Sequence, residues 1–241
     1  MRRTCTLLAV AFAASLTYAQ AIASPAGTAR YYVVFLRPDP ARTPLSKADG
    51  ERIMTAHMAN IHKMADDGIM VSAGPFDDTP TTIEGVFVFK TSSLSSAQAV
   101  AEQDPTVLEH RNTVDVHAWE GPPGIGVEYF RLHALDPKAP DSMQMHPFCM
   151  LYRGDAWEAQ SHNREVLLAA HERYIEQLRE QGKLSAAGKV APPDALLDLV
   201  VFRPIPLEDA QRLLGDDPAI RAGVIRAEYH HWWSADHVLP W

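Results

Sequence analysis

The chain has 241 residues, with 30 acidic and 22 basic side chains and a formal net charge of −8 when histidine is neutral. An acidic chain without a basic stripe is a poor candidate for a protein that binds nucleic acid or an anionic membrane surface. Of its two cysteines, Cys5 lies in a predicted leader and Cys149 in a predicted strand. A disulfide within the mature chain is therefore excluded, even in an oxidising compartment.

The first residues have the composition of a secretory signal peptide. Two arginines begin it, the apolar run over residues 7–16 is too short to span a bilayer, and small-residue cleavage sites end at Ala19 or Ala23. The sequence therefore predicts a signal peptide over residues 1–23, or 1–19. The mature protein is expected to be periplasmic or secreted, and not membrane-bound once the signal is cleaved.

Behind this leader one pattern occurs twice, and each copy places a histidine on its first predicted helix. His57 and His171 are each followed by a glycine eleven residues later and by a second glycine six residues further on. An Ala-Gln pair, an Asp-Pro pair and a tryptophan then recur at matching distances, the tryptophans being Trp119 and Trp232. Two copies of a pattern of this length indicate a duplicated domain.

Each copy predicts the same order of elements from its hydrophobic periodicity. The first copy predicts a strand over 31–36, a helix over 47–67, strands over 69–73 and 85–90, a helix from Ser92 or Ser93 to 103, and a strand over 114–119. The second predicts a strand over 148–152, a helix over 163–181, strands over 183–187 and 196–202, a helix over 207–214, and a strand over 226–233.

This order, β-α-β-β-α-β, is that of a ferredoxin-like unit, whose sheet carries helices on one face only. Two copies can bury their bare faces against each other. We therefore predict an α+β fold of two ferredoxin-like βαββαβ units packed as an intramolecular dimeric α+β barrel. The predicted domains are residues 30–120 and 147–236, joined by a linker over 121–146 that is rich in Pro and Gly, in which residues 129–132 could add a short edge strand.

The combined spacings resemble those of the YCII-related family. The residues that carry the resemblance are His57, Gly68, Gly74-Pro75, Asp77 or Asp78, Asp104-Pro105 and Trp119, and it extends over nearly all of both copies. It implies a dimeric α+β barrel with a His–Asp pair in a pocket beside the sheet. A few relatives are lyases that eliminate chloride from chlorinated hydroxyquinones, and related barrels include muconolactone isomerases.

By this resemblance His57 is the family histidine, and Asp77 or Asp78 is the carboxylate that pairs with it. His171 matches in the second copy, but the nearest acid there, Asp194, follows the second glycine by six residues instead of three or four. The resemblance therefore supports a functional pair around His171 less strongly than the pair around His57. Structural alternatives stay open for these residues: a histidine on an apolar helix face can be a core residue, and Asp is favoured in turns for its own backbone hydrogen bonds.

The remaining candidates have interpretations that need no function. His117 and His230 are predicted to be surface residues of edge strands, and Trp119, Trp232 and Trp233 to be barrel core or interface. Cys149 is predicted to be a buried, unreactive residue. Four methionines, at positions 54, 58, 64 and 70, are predicted to fill the core on the buried side of their helix and strand.

We predict an exported protein that binds a small molecule. Its leading form is a cofactor-free enzyme in which His57, oriented by Asp77 or Asp78, is the general acid or base in the elimination or isomerisation of a small cyclic or aromatic compound. No phosphate loop, serine elbow or metal-ligand spacing occurs, so no cofactor and no metal is predicted. The alternatives are a ligand-binding protein without catalysis and a structural domain, and further assembly into homo-oligomers stays open.

Overall fold

The computed structural model describes residues 27–80 and 82–241, so the predicted signal peptide lies outside the described residues. The first part of the chain contains β1 (Ala29–Pro38), α1 (Lys47–Asp66), β2 (Met70–Pro75), β3 (Gly85–Phe89), α2 (Leu94–Ala101), α3 (Pro105–Leu108) and β4 (Asn112–Gly121). After α4 (Val127–Leu135) come β5 (Met143–Arg153), α5 (Arg164–Glu180), β6 (Leu184–Val190), β7 (Leu196–Phe202), α6 (Leu207–Gly215), α7 (Pro218–Arg221) and β8 (Ile225–Ala235). None of the helices within the described ranges is long and apolar enough to cross a membrane.

The eight strands form one antiparallel sheet in the order β2-β3-β1-β4-β6-β7-β5-β8. Its two edge strands meet, because Phe76 just after β2 forms a bridge with Trp232 in β8. Beside this bridge the Asp77 N–H donates to the His231 carbonyl oxygen at 2.8 Å. The predicted α+β class is thus confirmed, and the closed sheet has an apolar interior that contains both Trp119 and Trp232, as predicted.

Two seams join the strands of residues 29–121 to those of residues 143–235. At the β4–β6 seam, Trp119 pairs with Val190 and Glu120 with Lys189. At the β2–β8 seam, Pro75 occupies the position that corresponds to Lys189 in the sequence repeat, and a proline has no N–H to donate to a ladder. The β2–β8 seam therefore lacks a backbone donor at this position, where Lys189 has one in the β4–β6 seam.

The linker contains a helix where the aromatic run over residues 129–132 predicted an edge strand, so that prediction was wrong. Gly126 begins the helix with φ +78°, a left-handed conformation that suits glycine, and the Phe130 N–H donates to the Gly126 carbonyl oxygen at 2.9 Å. The Tyr129 side chain packs against the barrel interior. Packing has overridden the β-propensity of the aromatic residues.

Burial agrees with most of the predicted core. Cys149 is fully buried, and burial raises the pKa of its thiol, so the prediction of an inert cysteine holds. Met64 and Met70 are buried as predicted. The prediction was wrong for Met54 and Met58, which are 54% and 43% exposed. Both methionines border a cavity between α1 and the sheet, so this side of the helix is not sealed against the strands.

Candidate functional site

A cavity of about 390 Å³ lies between α1, β2, β3 and α4. His57, near the middle of α1, contributes to its wall and keeps 12% of its side chain exposed. Most of the lining is apolar, including Met54, Met58, Ile61, Met70, Phe87 and Phe130. A concave, largely apolar site with a few polar groups is the usual form of a small-molecule site.

The partner of His57 is Asp104, the residue that precedes α3. The His57 Nδ1 atom lies 2.9 Å from each carboxylate oxygen of Asp104, whose side chain is almost completely buried. The carboxylate also caps α3 by accepting from the Thr106 N–H at 2.9 Å and its hydroxyl at 2.6 Å, and it accepts from the Asn60 amide at 3.0 Å. Three donors besides the imidazole thus hold one buried carboxylate in place against His57.

These hydrogen bonds decide the charge of Asp104. Burial by itself would raise the pKa of the carboxyl, but hydrogen bonds from His57, Thr106 and Asn60 outweigh it, and the pKa lies below its ordinary value. Asp104 is therefore a carboxylate at neutral pH. Its charge fixes the orientation of the imidazole and leaves Nε2 as the ring nitrogen available to the cavity.

The structure does not pair His57 with Asp77 or Asp78, so the predicted pairing is corrected. Asp78 accepts from His230 Nδ1 at 2.6 Å and from the His231 N–H at 3.0 Å. The loop after β2 runs across the barrel seam to β8, away from α1. The sequence does contain a signal for the true partner, since the aspartate of the Asp-Pro pair follows each histidine at nearly the same distance, 47 residues in the first case and 46 in the second.

The second half repeats this pair in a closed form. His171 Nδ1 lies 2.6 Å from Asp217, which caps α7, and His171 Nε2 lies 3.6 Å from Asp198. The side chain of His171 is 3% exposed. Burial would lower the pKa of this imidazole, but hydrogen bonds and the charges of Asp198 and Asp217 raise it to about 9. His171 is thus held as a buried cation, with a carboxylate at each nitrogen.

One position in β3 and β7 accounts for the difference between the two histidines. Gly74 pairs with Val86, and Gly188 pairs with Leu199, so the residues that precede these partners correspond: Gly85 in the first half and Asp198 in the second. Gly85 borders the cavity. With no side chain at that position, the space that Asp198 occupies beside His171 is open beside His57.

Two further histidines join the halves of the barrel. His230 is bound by Asp78 and Glu228, and His117 by Asp194 and by Asp115, the latter at 2.9 Å from Nε2. The prediction that His117 and His230 are surface residues was wrong: they are 9% and 4% exposed, because barrel closure brings a loop over each. Asp194 is thus the spatial counterpart of Asp78, despite its different distance from the preceding glycine.

Burial by itself would lower the pKa of the His117 imidazole, but its carboxylate partners Asp115 and Asp194 outweigh burial. The pKa of His117 is therefore raised above its ordinary value. These clusters do not make a metal centre. Within residues 27–80 and 82–241, no group of three or more His, Cys, Asp and Glu side chains is arranged to hold a metal ion.

Comparison with known proteins gives a family match for one part of the chain. Residues 145–232 match the model of the YCII-related domain family. The matched segment contains His171 and its partners Asp198 and Asp217. Among functionally curated proteins, none matches the chain.

Solved structures of chlorite dismutase from Candidatus Nitrospira defluvii have a similar fold. One variant has a TM-score of 0.53 at 12% identity, over 88% of this chain and 92% of that one. A second variant, in complex with cyanide, has a TM-score of 0.53 at 12% identity, over 87% and 91%. The enzyme in complex with imidazole has a TM-score of 0.50 at 13% identity, over 88% and 92%. At this identity the likeness is one of fold.

The geometry predicts the tautomer of His57. Because Asp104 accepts at Nδ1, we expect the neutral imidazole to carry its proton there and to leave the lone pair on Nε2. Long-range ¹⁵N–¹H spectra of histidine-labelled protein report this directly. Asp104→Asn should shift the population toward the Nε2–H tautomer, whereas Asp217→Asn, in the second half, should leave the His57 signals unchanged. A wild-type His57 protonated on Nε2 when neutral would contradict the geometry.

Proposed function

We propose that the protein binds a small, mostly apolar organic molecule in the cavity beside His57 and transfers a proton to or from it. In this proposal Nε2 of His57 is the general base or acid, and Asp104 orients the imidazole and supports its cation. The reaction class is a cofactor-free elimination or isomerisation of a cyclic or aromatic compound. The observation that carries the proposal is the position of His57, held by a buried carboxylate and bordering the cavity.

The size and lining of the cavity support this choice. A volume of about 390 Å³ is within the range of small-molecule sites. An apolar lining excludes water and strengthens the interaction between an imidazolium and its carboxylate. A correctly placed general acid or base contributes roughly 10²- to 10⁴-fold to a rate, which sets the scale of the effect to look for.

We further propose that the chain is a tandem pair of YCII-like units, over residues 30–120 and 147–236, with a linker over 121–146. The recurrence of the strand and helix order and the match of residues 145–232 to the family support it. In this arrangement the first unit keeps an open site, and the second serves stability through its buried His171. A signal peptide over residues 1–23, or 1–19, would deliver the protein to the periplasm or outside the cell.

Turnover by His57 variants tests the catalytic part. Purified protein would be incubated with a panel of lactones, cyclic ketones and halogenated phenols, and the products followed by mass spectrometry. For any compound that is converted, we expect His57→Gln to lower kcat by about 10²-fold or more. His162→Gln is the matched control, because His162 is an exposed histidine of the other half. Conversion at an unchanged rate by His57→Gln would overturn the mechanism.

A binding protein without catalysis is the second candidate. Two other titratable side chains at the cavity already have partners, which favours this candidate. The carboxylate of Glu84 is paired with Arg42, and the hydroxyl of Tyr129 donates to Asp141 at 2.8 Å. Both groups are thus engaged before any ligand arrives. Saturable binding without conversion, retained in His57→Gln, would select this candidate.

A further inference from the structure

Both histidines of the repeat are bound by a carboxylate, but the two carboxylates differ in their other donors. In the first half, Asp104 accepts from the imidazole of His57, from the Thr106 hydroxyl at 2.6 Å and from the Asn60 amide at 3.0 Å. It also accepts from the Thr106 N–H, because it caps α3. These donors match the roughly four hydrogen bonds that a carboxylate can accept. The charge of Asp104 is thus shared, and two of the sharing groups are side chains.

The two side-chain donors are absent from the second half. By the repeat, Thr106 corresponds to Ala219, which is fully buried, and Asn60 corresponds to Tyr174. The hydroxyl of Tyr174 donates to a backbone carbonyl oxygen in α6 at 2.7 Å and not to the carboxylate. Asp217 nevertheless caps α7, by accepting from two N–H groups at 2.8 Å and 3.3 Å. Helix capping at this position therefore needs neither the hydroxyl nor the amide.

The carboxylate without these donors lies closer to its histidine. Among the residues that the structure describes, His171 is the only side chain that donates to Asp217, and its Nδ1 lies 2.6 Å from one oxygen. In the first half, Nδ1 of His57 lies 2.9 Å from both oxygens of Asp104. A hydrogen bond to a charged group is shorter where that group is the stronger acceptor. Asp217 therefore binds its imidazole more strongly than Asp104 does.

The extra donors also act on the basicity of Asp104. Burial by itself would raise the pKa of this carboxyl, but hydrogen bonds from His57, Thr106 and Asn60 lower it. A carboxyl with a lower pKa is a weaker base, so its carboxylate stabilises a neighbouring imidazolium less. Gly85 leaves His57 with one carboxylate partner, and the donors to Asp104 weaken that partner.

We infer that Thr106 and Asn60 are positioning residues that keep the His57 imidazole able to exchange its proton with a ligand, by sharing the charge of Asp104. Without them, Asp104 would hold the imidazolium more tightly. The inference rests on the proposed function, since proton exchange matters only if His57 acts as an acid or a base. It adds to that function the two side chains that set how readily the histidine gives up its proton.

Titration of the imidazole by NMR tests the inference without a substrate. Histidine-labelled protein would be followed by long-range ¹⁵N–¹H spectra between about pH 5 and pH 9, with the His57 signals identified by their loss in His57→Gln. We expect Thr106→Ala and Asn60→Ala each to move the midpoint of this titration upward by roughly half a pH unit, and the double variant by about one unit. None of these variants alters the other ionisable side chains that border the cavity, which are His62, Glu84, Asp141 and Tyr129.

Two further variants separate this role from packing. Thr106→Ser keeps the hydroxyl and should titrate as the wild type does. Thr55→Ala, on α1, removes an exposed hydroxyl that donates to the Glu51 carbonyl oxygen at 2.8 Å, and it should leave the His57 titration unchanged. Thr106→Ala is expected to fold, because the second half has alanine at this position. If it does not fold, Asn60→Ala supplies an independent measurement.

The outcomes distinguish the inference from the proposed function. A His57 midpoint that stays at the wild-type value or falls in both alanine variants, or that rises equally in Thr106→Ser, would overturn the inference and leave the proposed function standing. A raised midpoint, with a kcat profile that moves to higher pH in the same variants for a converted compound, would support the inference. A raised midpoint combined with unchanged turnover by His57→Gln would refute the proposed function alone.

Discussion

Replacing Gly188 by alanine is expected to destabilise the protein by about 3 kcal/mol or more, at or above the upper end of the usual cost of overpacking. A Cβ at Gly188 would overlap the Glu120 carbonyl oxygen and lie 2.9 Å from its carbonyl carbon. Both atoms are backbone of β4, directly across the β4–β6 seam. Neither can yield without separating the strands, so the clash acts on the closure of the barrel. Urea denaturation followed by circular dichroism would measure the loss.

Two matched glycines show whether the effect belongs to the seam. Gly74 is the equivalent residue of the first half, and its Cβ would overlap the Trp233 carbonyl oxygen across the β2–β8 seam, so Gly74→Ala should also be strongly destabilising. Gly50 lies in α1 with nothing within 4 Å of its Cβ. Gly50→Ala should therefore stabilise the protein by about 0.5–1 kcal/mol. A Gly188→Ala variant within 1 kcal/mol of wild type, on the scale of ordinary surface changes, would refute the seam argument.

The close approach of the opposite strand explains the second glycine of the repeated motif. The first glycine of each copy, Gly68 or Gly182, has a positive φ just after a helix, where an alanine would be strained. The second, Gly74 or Gly188, is required because the backbone of the opposite half approaches it closely. The first glycine of the motif therefore serves helix termination, and the second serves barrel closure. Neither role requires contact with a ligand.

The stability of the protein is expected to fall as the pH rises from about 6.5 to about 9. The pKa of His171 is raised in the folded protein to about 9, above its ordinary value of 6.5 in an unfolded chain. A raised pKa means that the folded state holds the proton more tightly, so the stabilisation is fully present below pH 6.5 and is lost as the pH passes through 9. For a shift of this size the loss is on the order of 3 kcal/mol. Urea denaturation at pH 6 and pH 9.5 would measure it.

Asp198→Asn isolates the contribution of His171. Asp198 and Asp217 are the two carboxylates that face this imidazole, and removing the charge of one should lower its pKa. We expect the variant to lose less stability between pH 6 and pH 9.5, and to lose it at a lower pH, than the wild type. The pKa of His117 is also raised, so a slope in the same direction would remain. Identical pH profiles for wild type and variant would show that His171 does not titrate as a buried cation.

The amino-acid sequence alone determined most of the local structure. Strand and helix positions follow from side-chain periodicity and from breakers such as Gly68, and these act over a few residues. The α+β class and the burial of Cys149 and of both repeated tryptophans follow from the same patterns. His57 could be selected as a site candidate because its position in a helix and its recurrence as His171 are properties of the sequence.

Only the tertiary structure decided which charged groups meet. His57 and Asp104 are 47 residues apart, and Asp78 and His230 are 152 apart. No local pattern specifies such pairs, because they depend on which loop lies over which strand once the sheet closes. The opening beside His57 likewise arises from Gly85 standing where the second half has Asp198, a correspondence visible only in the strand register. The elements are local in origin, whereas the site is a product of packing across the whole barrel.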